Sequence, residues 1–143
     1  MQQTAPEISP IDDRSIDSVT ALAYATTNVP MAYPDETVAD ILRQLGQAHR
    51  YDSMVDVAVV EAGRLVGIIP IEFLFEASLD SPASTLMISD PPVIGPGADR
   101  ETTAARAVDH GNISLGVVDI NGVFLGLIPP RGLDPSAMKD FRL

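Results

Sequence analysis

Residues 55–69 read Val55-Asp56-Val57-Ala58-Val59-Val60-Glu61-Ala62-Gly63-Arg64-Leu65-Val66-Gly67-Ile68-Ile69. Val55 to Val60 has the β-branched density of a strand, because branched side chains pack well on a pleated surface and lose rotamer freedom in a helix. Glu61-Ala62-Gly63-Arg64 predicts a tight turn, and Leu65 to Ile69 returns beside the first strand as a β-hairpin. Pro70 ends the return strand, since proline has no N–H to donate to a ladder. It is also well placed in the first turn of a helix predicted over Ile71 to Ala77.

The same pattern recurs downstream. Leu115-Gly116-Val117-Val118 predicts a strand, Asp119-Ile120-Asn121-Gly122 a turn carrying the Asn-Gly hairpin signal, and Val123 to Ile128 the return strand. Gly63 and Gly122, Gly67 and Gly126, Pro70 and Pro129, and Leu74 and Leu133 are each 59 positions apart. Four coincidences at one offset, in one structural context, mark an internal repeat. Repeats of this period are supersecondary units that cannot bury an apolar face alone, so two units are expected to pack on each other.

Each hairpin is preceded by an extended segment and a helix. Thr26 to Pro30 reads as the first extended approach. Pro34-Asp35-Glu36-Thr37 is a helix start with Asp35 as the expected cap, and Val38, Ile41, Leu42 and Leu45 follow as an amphipathic stripe. Pro91 to Ile94 is the second approach. Asp99 is expected to cap a helix from Arg100 to His110 that Gly111 stops. Ahead of the first unit, Ser15 is expected to start a short helix with Ile16, Val19 and Leu22 or Ala23 on one face. The expected division is 1–20 for an N-terminal tail and short helix, 21–80 for the first repeat, 81–138 for the second and 139–143 for a C-terminal tail.

Composition narrows the function classes. Of 143 residues 45% are hydrophobic and 20% charged, which suits a packed core rather than a disordered chain. The absence of cysteine excludes a disulfide scaffold and a thiolate zinc site, and fits a reducing cytoplasm. A net charge of −11, from 9 basic and 20 acidic residues, repels a phosphate backbone and argues against a nucleic-acid partner. Met1 to Asp13 lacks the apolar core of a signal peptide. The most apolar stretch, Val55 to Phe75, is broken by Asp56, Glu61, Arg64 and Glu72, so no membrane span is read. Asn112-Ile113-Ser114 matches a glycosylation sequon but reads as a chance match without a secretion signal. His49 and His110 are the only histidines and form no ligand-spaced pair, and there is no Gly-x-Ser-x-Gly elbow. Gly95-Pro96-Gly97 lacks the lysine of a phosphate loop. No nucleophile–base pair emerges, and the chain is read as a non-enzyme.

Val59 to Ile69 and its copy Val117 to Ile128 resemble the hairpin of the CBS domain, and the tandem resembles a Bateman module over roughly residues 22–138. The resemblance implies an α/β fold of two β-α-β-β-α CBS repeats in a pseudo-twofold arrangement and a disc-like homodimer. It also implies regulation of an attached enzyme, channel or transporter by adenine nucleotides, S-adenosylmethionine or divalent cations held in clefts between the repeats. A narrower resemblance is to the cytosolic CBS region of MgtE-family magnesium transporters. It rests on Val29 to Leu45 and on the longer first helix-to-strand connection: Asp35 to Val59 spans 24 positions, Asp99 to Val117 only 18. That resemblance implies a membrane channel domain as partner and a place on the cytosolic face.

The cleft residues implied by the resemblance are Asn28, Val29, Pro70, Glu72, Phe73, Pro92, Val93, Pro129 and Arg131. Nucleotide-binding repeats of this family follow the return strand with Ser or Thr, two variable residues and Asp, for phosphate and ribose respectively. Here Pro70 and Phe73 stand at those positions in the first repeat, Pro129 and Gly132 in the second, so an adenine nucleotide is the weaker expectation. Glu72 or Arg131 would have to substitute. Magnesium is the favoured ligand, because it is a hard cation that takes oxygen ligands and keeps much of its water. The candidate carboxylates are Asp56, Glu61, Glu72, Glu76, Asp90 and Asp119. The expected function is magnesium sensing for a transporter, with an adenosyl-nucleotide regulator or a ligand-free dimerisation module as the alternatives.

Overall fold

The computed structural model describes residues 19–130. In chain order the elements are α1 (Ala21–Tyr24), β1 (Met31–Ala32), α2 (Val38–Leu45), β2 (Asp56–Glu61), β3 (Arg64–Pro70), α3 (Ile71–Glu76), α4 (Ala83–Leu86), β4 (Ile88–Ser89), β5 (Val93–Ile94), α5 (Arg100–His110), β6 (Leu115–Val118) and β7 (Phe124–Ile128). They form a four-stranded sheet of order β1-β2-β3-β4 and a three-stranded sheet of order β5-β6-β7. In each sheet a parallel pair leads into the antiparallel hairpin. The α/β fold with two hairpin-centred units is the expected one. The expected helix start at Ser15, and Arg131, Gly132 and Leu133, lie outside the described residues.

The two hairpins match in register but not in turn. Val57 faces Ile69 and Leu115 faces Ile128, and each ladder shifts at the same place, between Val59 and Val60 and between Val117 and Val118. The first turn uses two residues with positive φ, Ala62 at 53° and Gly63 at 79°. That geometry matches the right-handed twist of the strands. In the second turn only Gly122 is left-handed, at 85°. Asp119 shapes that turn instead: its Oδ1 accepts the N–H groups of Asn121 at 2.8 Å and Val123 at 2.9 Å. The Asn-Gly pair thus sits in a longer, bulged turn rather than a two-residue one.

Each sheet is completed by the segment that leads into the other repeat. β4 pairs with β3 on its way to the second repeat. Thr26, on its way to the first, exchanges two backbone hydrogen bonds of 2.9 Å with Leu127 of β7. The helix starts are crossed in the same reciprocal manner. Ala83 and Ser84 donate to the carbonyls of Glu36 and Pro34 ahead of α2, and Ala21 and Leu22 donate to those of Ala98 and Pro96 ahead of α5.

Three apolar clusters follow from this exchange. One lies under the first sheet (Val38, Ile41, Val57, Val59, Ile69, Leu74) and one under the second (Tyr24, Ile94, Leu115, Val117, Ile128). The third lies between the sheets and joins Val29, Ala58 and Ile68 to Leu127, with Val60, Leu65 and Phe124 packed against it. Burying such a seam is what a repeat unable to stand alone requires.

The cap of α2 corrects the sequence reading. Thr37, not Asp35, is the N-cap. Its hydroxyl accepts from Asp40 N–H at 3.2 Å while the Asp40 carboxylate accepts from Thr37 N–H at 3.0 Å. Asp35 falls in the turn ahead of the helix. Asp99 does cap α5, accepting from Thr102 N–H at 2.7 Å, and Gly111 follows its last residue at φ 69°.

Candidate functional site at the seam between the repeats

Alternation along β2 decides which side chains meet the second repeat. Val57 and Val59 point into the first core, while Ala58 points into the seam. Asp56 falls on the Ala58 face and is only 2% exposed. Its Oδ2 accepts the backbone N–H of Ser114, the residue that opens β6 of the other repeat, at 2.6 Å. Its Oδ1 has no hydrogen-bond partner. Burial pushes the Asp56 carboxyl above the usual carboxylate range. The bonds from Ser114 pull it part of the way back, and the negative charge of Glu72 on α3 adds to the rise. Ser114 is itself 1% exposed, so the sequon that contains it has its hydroxyl residue inside the fold.

At the other end of the seam the hairpins touch. Arg64 and Val123 form an isolated bridge, and Phe124 N–H donates to the Gly63 carbonyl at 2.8 Å. Gly116 leaves room there, since a Cβ at that position would run into Leu65 of the first hairpin.

A polar staple stands beside the first approach segment. Asn28 Nδ2 donates to the Arg50 carbonyl at 3.0 Å and to Asp52 Oδ1 at 3.3 Å, and Asn28 Oδ1 faces His49 Nε2 at 2.7 Å. With the amide donating elsewhere, Asn28 Oδ1 is an acceptor and His49 must present an Nε2 proton. Thr26 Oγ1 donates to Asp52 Oδ2 at 2.6 Å, and the bonds from Thr26 and Asn28 hold Asp52 below its ordinary value. The His49 and Tyr51 rings meet edge to face, 4.5 Å between centroids. The long connection between α2 and β2 is therefore fastened to the approach segment. Its length is visible in the sequence, but which polar residues fasten it is not.

The cleft residues are dispersed. Val29 and Pro92 are buried, and Asn28, Val93 and Pro129 are half-buried. Pro70 is buried at the end of β3, and Phe73 packs against the first core. Glu72 is exposed at the start of α3. Arg131 lies outside the described residues. Among the candidate metal ligands, Glu61 and Glu76 are exposed, Asp90 is exposed with φ of 51°, and Asp119 is spent on its turn. Among the described residues, no three or more acidic or histidine side chains converge as a metal cluster. Of these carboxylates only Glu72 adds to the rise at Asp56, and its part is smaller than that of burial.

Residues 19–72 match the CBS domain family. Solved structures extend the likeness over both repeats. The cytosolic domain of the Mg2+ channel MgtE in complex with ATP superposes with a TM-score of 0.72 at 23% identity, over 77% of this chain and 45% of that one. The chain has the fold of a CBS domain pair. The soluble part of a magnesium transporter matches this chain with a TM-score of 0.73 at 21% identity, over 85% of this chain and 48% of that one. The CBS-pair protein CBSX2 in complex with AMP gives 0.69 at 19% identity, over 85% and 97% respectively; CBSX2 from Arabidopsis thaliana also matches, at 0.68 and 19%. The chain spans about half the length of the two magnesium-transport structures. No curated protein matches it. Among the described residues no helix is long and apolar enough to cross a membrane.

Proposed function

We propose that this CBS pair is a regulatory domain that senses a divalent cation, magnesium in the first place, on the cytosolic side of a magnesium transporter. The observation that carries the reading is uncompensated acid. Against 20 acidic residues the chain has 9 basic ones, and among the described residues a single ion pair forms, Arg43 to Asp40 at 3.1 Å on the surface of α2. A fold this acidic repels itself, and bound cations relieve the repulsion in a way that depends on how the parts are spaced. The likeness to two magnesium-transport structures supports the same reading. In this account the pair acts as a homodimer coupled to a channel domain. Phe75, Leu79 and Val108, which are 73%, 61% and 77% exposed, offer apolar surface for such contacts.

One observation favours a second reading, an adenine-nucleotide sensor: two similar structures hold ATP and AMP. Against it stand Pro70 and Phe73, which offer neither the hydroxyl nor the carboxylate that ribose and phosphate need. Calorimetric titration separates the two. Saturable heat with MgCl2, and none with AMP or ATP in magnesium-free buffer, is the expected result. Low-micromolar nucleotide affinity with no response to MgCl2 would replace the cation reading by the nucleotide one.

A further inference from the structure

Asp56, at 2% exposed, is the one buried carboxylate among the described residues, and it lies on the face of β2 that carries Ala58 into the seam. Oδ2 accepts Ser114 N–H from the second repeat at 2.6 Å, while Oδ1 is shut off from solvent and makes no hydrogen bond. The elements around it bring no positive charge. β3 sets Pro70 opposite it, the residue that opens β6 offers a backbone N–H, and the seam alongside is the apolar set of Val29, Ala58, Ile68 and Leu127. Glu72 on α3, the one charged group that acts on Asp56, is itself negative. The single ion pair among the described residues lies elsewhere, on α2. A buried hydroxyl without a partner costs far less than a buried charge without one. The closed seam therefore favours the neutral acid over the carboxylate. Once the seam opens, water reaches both oxygens and the charge is no longer penalised.

We propose that Asp56 is a proton-operated latch between the repeats: the closed seam holds it as a neutral carboxylic acid, and loss of that proton to water lets the starts of β2 and β6 part. The latch ties the spacing of the repeats to pH without any bound ion, so it goes beyond cation sensing and does not depend on it. Burial pushes the carboxyl up from its ordinary value of 3.8 and outweighs the bonds from Ser114, which pull it down. In the open form the hydrated acid keeps the ordinary value. The direction of the effect follows. Below the ordinary value both forms are protonated and the latch is fully closed. Between the ordinary value and the raised one, each rise in pH shifts the balance toward the open form, and above the raised value the effect is spent.

The test follows the full chain by NMR in buffer free of divalent ions, from about pH 4 to pH 8. The side-chain carboxyl 13C signal of Asp56 should titrate above the ordinary carboxylate range. Hydrogen-exchange protection of the Ser114 amide, corrected for the intrinsic rate, should fall by up to about tenfold per pH unit until Asp56 has titrated. Protection of the Ala58 amide, which donates to the Pro30 carbonyl within the first sheet, should stay level. Asp56→Asn keeps an acceptor for Ser114 N–H but carries no charge at any pH, so its Ser114 protection should not vary with pH. Ser114 protection that is level in the wild type, or that falls equally in Asp56→Asn, would overturn the latch. So would an Asp56 carboxyl that titrates in the ordinary range, a reading taken on the unaltered chain and independent of whether the variant folds. None of these results bears on the cation reading.

Discussion

Gly67 and Gly126 hold the same place in the two hairpins, but a methyl group added to each meets different neighbours. At Gly67 it runs into Met87 of the chain leading to β4, whose Cβ, 2.9 Å away, no rotamer change can move; at Gly126 it meets the Thr26 carbonyl and Ala25 Cβ, each 3.0 Å away, on a backbone with φ of 148°. Each change to alanine should therefore cost on the order of 1–3 kcal/mol in chemical denaturation, at Gly67 by pushing Met87 aside and at Gly126 by backbone strain and the crossing at Thr26. A Gly126→Ala variant as stable as the wild type would contradict the backbone crossing at Thr26. The offset of 59 makes these glycines legible as a pair, but not the strands that cross them, because those come from the opposite repeat. Asp56 was similarly half-legible. Its carboxylate is visible in a strand, while its burial depends on Ser114, 58 positions away. Burial first, and then Glu72, raise its pKa above the ordinary value of 3.8. A group raised in the fold stabilises it most below its unfolded pKa, and that contribution is lost as pH climbs through the folded value. In metal-free buffer, wild-type stability relative to Asp56→Asn should fall as pH rises from about 3.8 upward. A constant difference across that range would contradict the buried carboxyl. Asp40, Asp52 and Asp99 are lowered by their hydrogen bonds and act in the opposite sense, losing their contribution as pH falls.

Among the elements, helices and hairpins with strong periodicity are where the sequence reads best. The stripe of α2 and the span of α5 are as expected, but the start of α2 is two residues later than Asp35 suggested. Thr37 and Asp99 hold equivalent places, each bridged by a segment on its way between the repeats: Thr37 to Pro82, and Asp99 to Thr20. That tertiary contact, invisible in the local sequence, selects the cap. Thr37→Ala should cost about 1 kcal/mol of stability in urea unfolding, and Asp35→Ala close to nothing. The reverse order would restore Asp35 as the cap. α4 and β4, of four and two residues, went unread for the same reason. Elements so short have no period of their own and exist because the first sheet offers them an edge.

At the scale of the whole molecule, the repeat, the α/β class and the expectation of two units packed on each other are all legible, because hydrophobic pattern and glycine spacing carry them. The ligand is less so, since a carboxylate on a strand looks the same whether it faces water or a second repeat. The exposed apolar residues Phe75, Leu79 and Val108 predict self-association. Light scattering after size exclusion should give twice 15.2 kDa, and a monomer at tens of micromolar would contradict the homodimer. The central claim is that a cation binds specifically rather than merely screening a net charge of −11. A thermal melt in several millimolar MgCl2 against NaCl of matched ionic strength tests it most directly. A site filled at about 100 times its dissociation constant adds roughly 2.7 kcal/mol, a rise of several degrees beyond the NaCl curve. Equal shifts in the two salts would mean screening alone, and would contradict cation sensing.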